Sequence, residues 1–406
     1  MADKTNISID TMKDNVKNTL NKSLDVIKSN PTAAKVISRI DADRKRVMDA
    51  IKKNPVKWLT IILGIFLVAF YFIVFFKRIP RFLRRMKVYK NDGMQPLVHN
   101  HKIMKSDFRL CDFYVASSYK SYLPCTNYYD YASLEAIEKV LMCGARYIDL
   151  DVFNDCFNRD TKPVVCEGTE VGNWHWTNSI PFQDVCHKIA TTAFCNKVKN
   201  ASDPLFININ FKTWGNKKTI DKCADIIKRH FNAKLLPKYY SYQGRYTSAN
   251  IATIPIREVI NKVIIISSGD ISDTEMDELT NLKQGGNSNF RDLTHNKVKE
   301  TYDAKELRDY NKRNLTRVTP DFENRFKENY NFFTAYALGC QFMCMNYTEP
   351  TNYMKMYATK FSECGLLLKP YKLRYRPLLI PAPRKQDKRV SFAAKKKSTP
   401  FYSITY

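Results

Sequence analysis

The chain has 406 residues and a formal net charge of +26 at pH 7, with 66 Lys and Arg against 40 Asp and Glu. Its 11 cysteines are irregularly spaced and include no close metal-ligand pair. This usage argues against a secreted, disulfide-bonded scaffold and indicates reduced thiols. The length alone would suggest two or three domains, although a barrel of about 250 residues can be one domain.

The positive charge is concentrated at the two ends of the chain. Residues 1–110 carry 23 basic and 9 acidic side chains, residues 371–406 carry 10 and 1, and the middle is left with +3. Basic arms of this kind suit anionic lipid headgroups or an acidic protein surface, whereas nucleic acid is not favoured as the partner. Solubility alone is the alternative explanation for the N-terminal charge.

Residues 1–55 have the pattern of an amphipathic helical region interrupted at Asn30-Pro31. Its clearest apolar stripe recurs at spacings of three and four residues: Met12, Val16, Leu20, Leu24 and Ile27. Such a stripe becomes buried against a partner, a membrane surface or a second helix.

Residues 56–77 are predicted to form a transmembrane helix. Trp58 to Phe76 is a run of 19 residues without a charge, long enough to span the hydrocarbon core of a bilayer. The run starts too late and is too long for a cleaved signal peptide. Because Lys77–Lys90 contains no acidic residue, the positive-inside rule favours a single-pass protein whose main domain is cytosolic. Residues 78–110 are interpreted as a basic juxtamembrane linker.

Strand and helix patterns alternate beyond residue 110. Tyr147–Val152 has period two, and Phe206–Asn210 and Val263–Ile266 are short apolar runs typical of buried parallel strands. Three segments near these runs have helical periodicity: Ser133–Cys143, Pro181–Phe194 and Lys217–Phe231. The alternation predicts an α/β fold with a parallel sheet or barrel.

Asp149 and Asp151 stand two residues apart on one predicted strand, so their carboxylates point to the same side. Such a pair could hold a hard cation, or act as acid and base. Two solvated or paired acids at a strand end are the alternative, which the residues taken by themselves favour.

Six short motifs occur in order between residues 112 and 376. They are S-S-Y-K-S-Y at 117–122, G-A-R-Y-I-D-L-D at 144–151, V-C-E-G at 165–168, P-L-F-I-N-I-N at 204–210, G-C-Q-F-M-C-M-N-Y at 339–347 and C-G-L-L-L-K-P-Y-K-L-R at 364–374. In this order they resemble the X and Y halves of the eukaryotic-type phosphoinositide-specific phospholipase C barrel. Family members read S-S-H-N-T-Y, C-R-x-x-E-L-D, Y-H-G, L-S-L-E-N, G-C-Q-x-V-A-L-N and G-Y-V-L-K-P.

The resemblance implies a TIM-type (β/α) barrel preceded by the N-terminal helices and the transmembrane helix. It places an X-like half at 111–268, a short linker at 269–290 and a Y-like half at 291–376. A basic extended tail, 377–406, follows the barrel.

The two catalytic histidines of the family are replaced in this sequence. The position of the first histidine holds Tyr119, and that of its partner in Y-H-G holds Glu167. An active enzyme would therefore need another base, and His175 and His187 are the histidines nearest the Glu167 segment. His175 stands between two tryptophans, a pattern more typical of a packed aromatic cluster than of a catalyst.

The calcium positions implied by the resemblance hold Lys120, Asp149, Asp151 and Asn210, so two acids remain of three. An ammonium group among these positions would compete with a divalent cation for the same carboxylates. No cofactor is expected, and calcium is expected only if the barrel is active. Asp149 and Asp151 are the weak metal candidates.

The headgroup positions are altered as well. Ile266 and Ser268 replace two phosphate-binding lysines of the family, and the substrate arginine falls on Asn324, with Arg325 one position away.

Two functions follow from these replacements. The first is a catalytically inactive, membrane-anchored barrel that serves as a structural or binding module. The second is a membrane-bound phosphoinositide phosphodiesterase with rearranged catalytic residues. The Lys-, Asn- and Tyr-rich composition adds the hypothesis of a large DNA virus protein that ties an internal virion membrane to a capsid.

Overall fold

The computed structural model describes residues 31–89, 93–124, 131–155, 161–242, 250–285, 289–321, 329–377 and 392–406. The chain divides into two compact units, residues 1–80 and 81–406. The apolar stripe predicted at Met12–Ile27 lies outside the described residues.

The first unit contains helix α1, Pro31–Lys53, and most of helix α2, Pro55–Met86. Pro55 begins α2, where a proline costs little because the first helical N–H has no partner within the helix. The window Pro55–Val74 is long and apolar enough to cross a membrane, and none of it is buried. By length and composition this window agrees with the segment predicted to span the bilayer.

The second unit is built on a nearly closed barrel of eight parallel strands. Their order around the barrel is β10-β11-β12-β1-β2-β7-β8-β9. The strands are β1 Phe113–Ser118, β2 Tyr147–Asn154, β7 Leu205–Lys212, β8 Val263–Ser268, β9 Leu282–Lys283, β10 Phe290–Thr294, β11 Leu315–Thr319 and β12 Phe342–Met345. The predicted strands at 147, 206 and 263 are therefore three neighbours in one parallel sheet.

Helices follow the strands and cover the outside of the barrel. They are α3 His101–Lys105, α4 Leu134–Met142, α5 Phe182–Ala193, α6 Lys217–Phe231, α7 Glu275–Leu279, α8 His295–Lys299, α9 Ala304–Asn311, α10 Phe333–Ala337 and α11 Asn352–Lys360. The three helices predicted from periodicity are α4, α5 and α6. The remaining strands are β3 Pro163–Val165, β4 Gly168–Thr169, β5 Trp174–His175, β6 Ile180–Pro181 and β13 Leu366–Leu368.

Alternation along each strand divides the core into two layers. In β2, Ile148 and Leu150 pack outward among the helices, whereas Tyr147 faces the interior of the barrel. Tyr147, Phe206 and Phe342 close the lower interior, with ring centroids 4.9 and 4.8 Å from Phe342. This aromatic layer leaves the polar residues further along the same strands near the carboxyl end of the barrel.

The predicted juxtamembrane linker, 78–110, contributes to the core of the second unit. Phe82 and Met86 are buried in the outer core layer, and Leu97 is buried in the inner cluster. Tyr89 donates a hydrogen bond to the carbonyl of Tyr347, and the two rings lie 5.8 Å apart. Phe82, Met86 and Tyr89 recur at spacings of four and three, which is typical of one helix face, but the sequence does not show that this face packs on the barrel.

Two other segments differ from their expected form. The predicted linker 269–290 holds helix α7 and the barrel strand β9, which pairs in parallel with β8. The last described residues of the tail form an antiparallel hairpin of β14, Lys396–Ser398, and β15, Ser403–Thr405, where an extended chain was expected. Pro400 lies in the turn between the two strands. A proline has no backbone N–H, and the ladder needs none from a residue at this position.

Candidate functional site

A cavity of about 630 Å³ opens at the carboxyl ends of the barrel strands. This is the end at which barrels of this type carry their functional residues. The charged side chains that line it are Lys120, Asp149, Asp151, Glu167, Glu170, Lys212, Asp292 and Arg317. Three basic and five acidic groups give the cavity a formal charge of −2.

Lys120 lies in the turn that follows β1, with its side chain inside a cluster of acids. Its φ of +42° is uncommon for a residue with a side chain. The backbone N–H donates to Asp149 Oδ2 at 3.2 Å, which helps hold the turn in this conformation. The ammonium Nζ lies 3.3 Å from Asp151 Oδ2 and forms a closer ion pair with Glu167.

Tyr122 completes this side of the site. Its hydroxyl oxygen lies 3.1 Å from Asp151 Oδ2 and 3.0 Å from Glu167 Oε2, so its single proton can be donated to either carboxylate. The ammonium of Lys120 and the phenol of Tyr122 therefore meet the same two carboxylate oxygens. All four side chains are buried, so solvent screens their interactions weakly.

The side-chain amides of Asn208 and Asn210, both on β7, donate hydrogen bonds to the two aspartates of β2. Asn210 Nδ2 lies 2.7 Å from Asp151 Oδ1 and 3.0 Å from Asp149 Oδ1, and Asn208 Nδ2 lies 2.7 Å from Asp149 Oδ1. Parallel pairing of β2 with β7 sets Asp149 beside Asn208 and Asp151 beside Asn210. The register of the sheet thus determines which amide meets which acid.

Arg317 is the second buried cation of the site. It projects from β11, and its guanidinium lies 3.1 Å from Asp149 Oδ1 and 3.4 Å from Asp292 Oδ2. Its side chain is only 4% exposed. Lys120 and Arg317 are therefore both held by carboxylates of the cavity.

The pKa values follow from burial and from these contacts. Burial opposes a charge on Lys120, but Asp151, Tyr119 and Glu167, in that order, together outweigh it and raise the pKa of the ammonium. Burial would raise the pKa of Asp151, yet the Lys120 ammonium and the Asn210 amide hold it below its usual range. Burial dominates at Glu167 and raises the pKa of that carboxyl against the opposing effect of Lys120. Burial also raises the pKa of Tyr119 to about 12.

The residues present do not fit a calcium ion. Calcium takes six to eight oxygen ligands, and a neighbouring ammonium would repel it. Here the Lys120 ammonium contacts Asp151, the Arg317 guanidinium contacts Asp149, and an amide, that of Asn210, stands at the third implied carboxylate position. Among the residues that the structure describes, no group of three or more His, Cys, Asp or Glu side chains is arranged to hold a metal.

The structure brings six of the predicted site positions together around this cavity: Tyr119, Lys120, Asp149, Asp151, Glu167 and Asn210. Ser268 also lines the cavity, whereas Ile266 is fully buried in the interior of the barrel. Asn324 and Arg325 lie outside the described residues.

Neither candidate histidine lines the cavity. His175 packs edge-on against Phe153 with ring centroids 5.4 Å apart, and its Nδ1 lies 3.0 Å from Ser179 Oγ. Burial lowers its pKa. His187 is exposed on α5, where its ring lies 5.7 Å from that of His230.

Four participants were not assigned a role from the sequence: Tyr122, Asn208, Asp292 and Arg317. Tyr122 and Asn208 stand inside the first and fourth motifs, so the sequence carried a signal at both positions. Arg317 lies on the side of β11 that faces the barrel interior, and this follows only once the residues of that strand and its partners are known. Asp292 has no motif around it.

The nearly closed parallel barrel, with a polar cavity at the carboxyl ends of its strands, defines a protein of the TIM-barrel fold class. Two family models match its halves: the phosphatidylinositol-specific phospholipase C X domain at residues 106–268 and the Y domain at residues 264–372. The chain therefore belongs to the phosphatidylinositol-specific phospholipase C family, which confirms the barrel predicted from the six motifs.

Individual relatives cover the chain only in part. A segment of 91 residues, 22% of this chain, is 31% identical to the 1-phosphatidylinositol 4,5-bisphosphate phosphodiesterase beta egl-8 of Caenorhabditis elegans and spans 6% of that protein. The solved structures of PLC21 from L. pealei and from S. officinalis each match with a TM-score of 0.55 and 19% identity. Each match covers 67% of this chain and 38% of the other. At that identity the likeness establishes the fold alone.

Proposed function

We propose that this chain is a membrane-anchored phospholipase C-like barrel that does not hydrolyse phosphoinositides and acts as a structural or binding module. The observation that carries the proposal is the ammonium of Lys120 within the acidic cluster, in contact with Asp151 and Glu167. An internal cation at this place pairs with Asp151, one of the two acids left at the calcium positions, and with Glu167, at a histidine position of the family. We therefore propose no calcium site tighter than ~10⁻³ M.

Acid–base chemistry is also poorly supported by the groups in the cavity. A general base works best with a pKa near the operating pH, and the pKa of Tyr119 is raised to about 12. The residues that line the cavity in the described part of the chain include no histidine. Lys120 and Arg317 are already paired with carboxylates. The cavity as a whole has a negative formal charge, which disfavours binding of a phosphorylated headgroup.

One observation favours the alternative, a phosphodiesterase with rearranged residues. Glu167 stands at the position of a family histidine, it lines the cavity, and its pKa is raised by burial. A carboxyl with a raised pKa is the kind of group that can act as a general acid. In that case Glu167 would replace the histidine in proton transfer.

The remaining proposals concern location and partners. The apolar window of α2 supports a single-pass membrane protein, and the basic flank supports a barrel on the cytosolic side. Partners proposed for the basic arms are anionic lipid headgroups or an acidic protein surface. A virion protein that links an internal membrane to a capsid is the most specific setting we propose, and it is supported by composition alone.

Hydrolysis by the full chain tests the central proposal. The protein is reconstituted in vesicles that contain phosphatidylinositol and its phosphates, with and without calcium, and released inositol phosphates are measured. We expect no release above that of the Glu167→Gln variant, which keeps the shape of the side chain but cannot ionise. Release by the natural chain that disappears in Glu167→Gln would overturn the proposal and establish the alternative.

Calorimetry tests the proposed lack of a calcium site separately. Titration of the full chain with calcium is expected to give no heat of binding in the micromolar range. A micromolar isotherm that is lost in Asp151→Asn would contradict the assignment of Lys120 as the internal cation.

A further inference from the structure

The tail ends in a small sheet of its own, which we call the terminal hairpin, residues 395–406. Its strands pair Lys396 with Thr405, Lys397 with Ile404 and Ser398 with Ser403. Reciprocal backbone hydrogen bonds of 2.7 and 2.9 Å extend the ladder to Lys395 and Tyr406. The turn is held by the N–H of Thr399, which donates to the carbonyl of Tyr402 at 2.8 Å.

Large apolar side chains of the terminal hairpin and its approach are open to solvent. Phe392 and Phe401 are 101% and 95% exposed, and Tyr402, Ile404 and Tyr406 are about half exposed or more. A two-stranded hairpin is marginally stable in water unless its face packs against something. Clustered exposed aromatic residues mark an interaction surface.

The register places positive charge and apolar groups on the same face. Side chains alternate along a strand, so Lys395 and Lys397 share a face with their partners Tyr406 and Ile404. Residues 392–406 contain three lysines and no acidic side chain. A face that mixes ammonium groups with aromatic rings is poorly suited to a protein core, because burial of each ammonium would require an acidic partner.

The interface of an anionic bilayer accommodates both kinds of side chain. Aromatic rings lie at the level of the headgroups, and lysine stems lie along the apolar region while their ammonium groups reach the lipid phosphates. We propose that the terminal hairpin is a membrane-interface clamp that inserts Phe401 and Tyr402 into an anionic bilayer. The inference deepens the proposed tethering function, on which it rests, by naming the surface that the tail meets.

Lys395 and Lys397, which share the apolar face, set the expected dependence on lipid charge. Each basic residue near an anionic surface contributes about 1 kcal/mol before screening, so these two favour the docked state by roughly 30-fold. Salt should weaken the attraction because the Debye length falls from roughly 10 Å at 0.1 M to 3 Å at 1 M.

Amide hydrogen exchange of the full chain tests the clamp. The chain is reconstituted in bilayers of phosphatidylcholine alone and in bilayers that also contain phosphatidylserine, and exchange of residues 395–406 is followed by mass spectrometry. We expect exchange at least about tenfold slower in the anionic bilayer, lost at 1 M salt. Flotation of the same samples reports membrane anchoring independently, and hydrolysis is assayed apart, so a failure of the proposed function is distinguishable from a failure of the clamp.

Two variants separate charge from aromatic insertion. Replacing Lys395, Lys396 and Lys397 by Gln should abolish the difference between the two bilayers. Phe401→Ser keeps the charge and should reduce protection in the anionic bilayer, and Lys217→Gln, on the barrel, is the matched control that should change nothing. The proposal would be overturned by equal protection in both bilayers or by no protection in either. Protection that persists in detergent would also overturn it and would point to a protein surface instead.

Discussion

Replacement of Lys120 by methionine tests directly whether its ammonium holds the acidic cluster together. Methionine has a similar length and fills the same space, but it carries no charge. In the variant, Asp151 and Glu167 lose the cation that lies between them and remain buried, at 7% and 3% exposure.

The expected cost follows from this burial. Removing one partner of a buried ion pair leaves an uncompensated charge and costs about 3–5 kcal/mol. A matched control is Lys217→Met, which breaks a pair with Asp273 whose side chains are 49% and 87% exposed. A pair of that kind contributes about 0–1 kcal/mol. The two substitutions make the same chemical change at a buried and at an exposed site.

The pH dependence adds a second readout with a defined sign. The pKa of Asp151 is lowered in the folded chain, so its attraction to Lys120 stabilises the fold above the unfolded pKa of ~3.9 and is lost as the pH falls through the folded pKa. The pKa of Glu167 is raised, so this carboxyl takes up a proton earlier as the solution is acidified. The stability gap between the natural chain and Lys120→Met should therefore be widest near neutral pH and narrow below about pH 4.

Urea unfolding of the full chain in detergent, followed by the fluorescence of the barrel tryptophans, measures both effects. The ammonium does not hold the cluster together if Lys120→Met costs no more stability than Lys217→Met, or if the stability gap between the natural chain and Lys120→Met does not depend on pH. A stabilised Lys120→Met variant would likewise show that the cluster is not held by the ammonium.

Three further predictions concern other parts of the chain. Phe82→Ala should destabilise the barrel by about 3–5 kcal/mol in urea unfolding, because the side chain is 3% exposed in the outer core; a cost below 1 kcal/mol would mean that the juxtamembrane segment is not part of the barrel core. Burial lowers the pKa of Lys369 to about 8, below the unfolded value of ~10.4, so this lysine favours folding more as the pH rises. Relative to Lys369→Met, the free energy of unfolding of the natural chain should increase by about 2–3 kcal/mol between pH 7 and pH 10. A difference between the two chains that stays constant over this range would contradict the lowered pKa. The double variant Lys120→Asn with Asn210→Glu removes the Lys120 ammonium and adds a third carboxylate. Calorimetry should then show calcium binding with a Kd below ~10⁻³ M. The control, Lys120→Met with unchanged Asn210, should bind calcium more weakly than the double variant.

Much of the fold could be predicted because its strands and helices depend on local sequence patterns. The period-two run at Tyr147–Val152, the apolar strands that follow and the helices between them specify a parallel barrel through the alternation of buried faces. The order of the six motifs then identified the family. The resemblance of short segments also predicts that Tyr119 and Glu167 stand at two histidine positions of the family, and this stays a prediction.

The geometry of the candidate site could not be read in the same way. The sequence indicated that an ammonium at Lys120 would enter the acidic cluster, but not which carboxylates it would meet. That choice depends on a left-handed turn after β1 and on a segment 47 residues further along the chain. Arg317 is more distant still, 168 residues from Asp149, the farther of the two aspartates that it contacts. Contacts of this range arise only when the barrel brings strand ends together.

The sequence by itself determined the strands, the helices and the long apolar segment, because each depends on residues close together in the chain. Tertiary structure alone decided that Phe82 and Met86 belong to the core, that β9 lies inside a predicted linker and that the tail folds back as a hairpin. It also decided that the buried cations Lys120 and Arg317 are matched by acids. The physical reason is that a buried charge is tolerated only beside its partner, and the partner is selected by strand register and barrel closure rather than by neighbours in sequence.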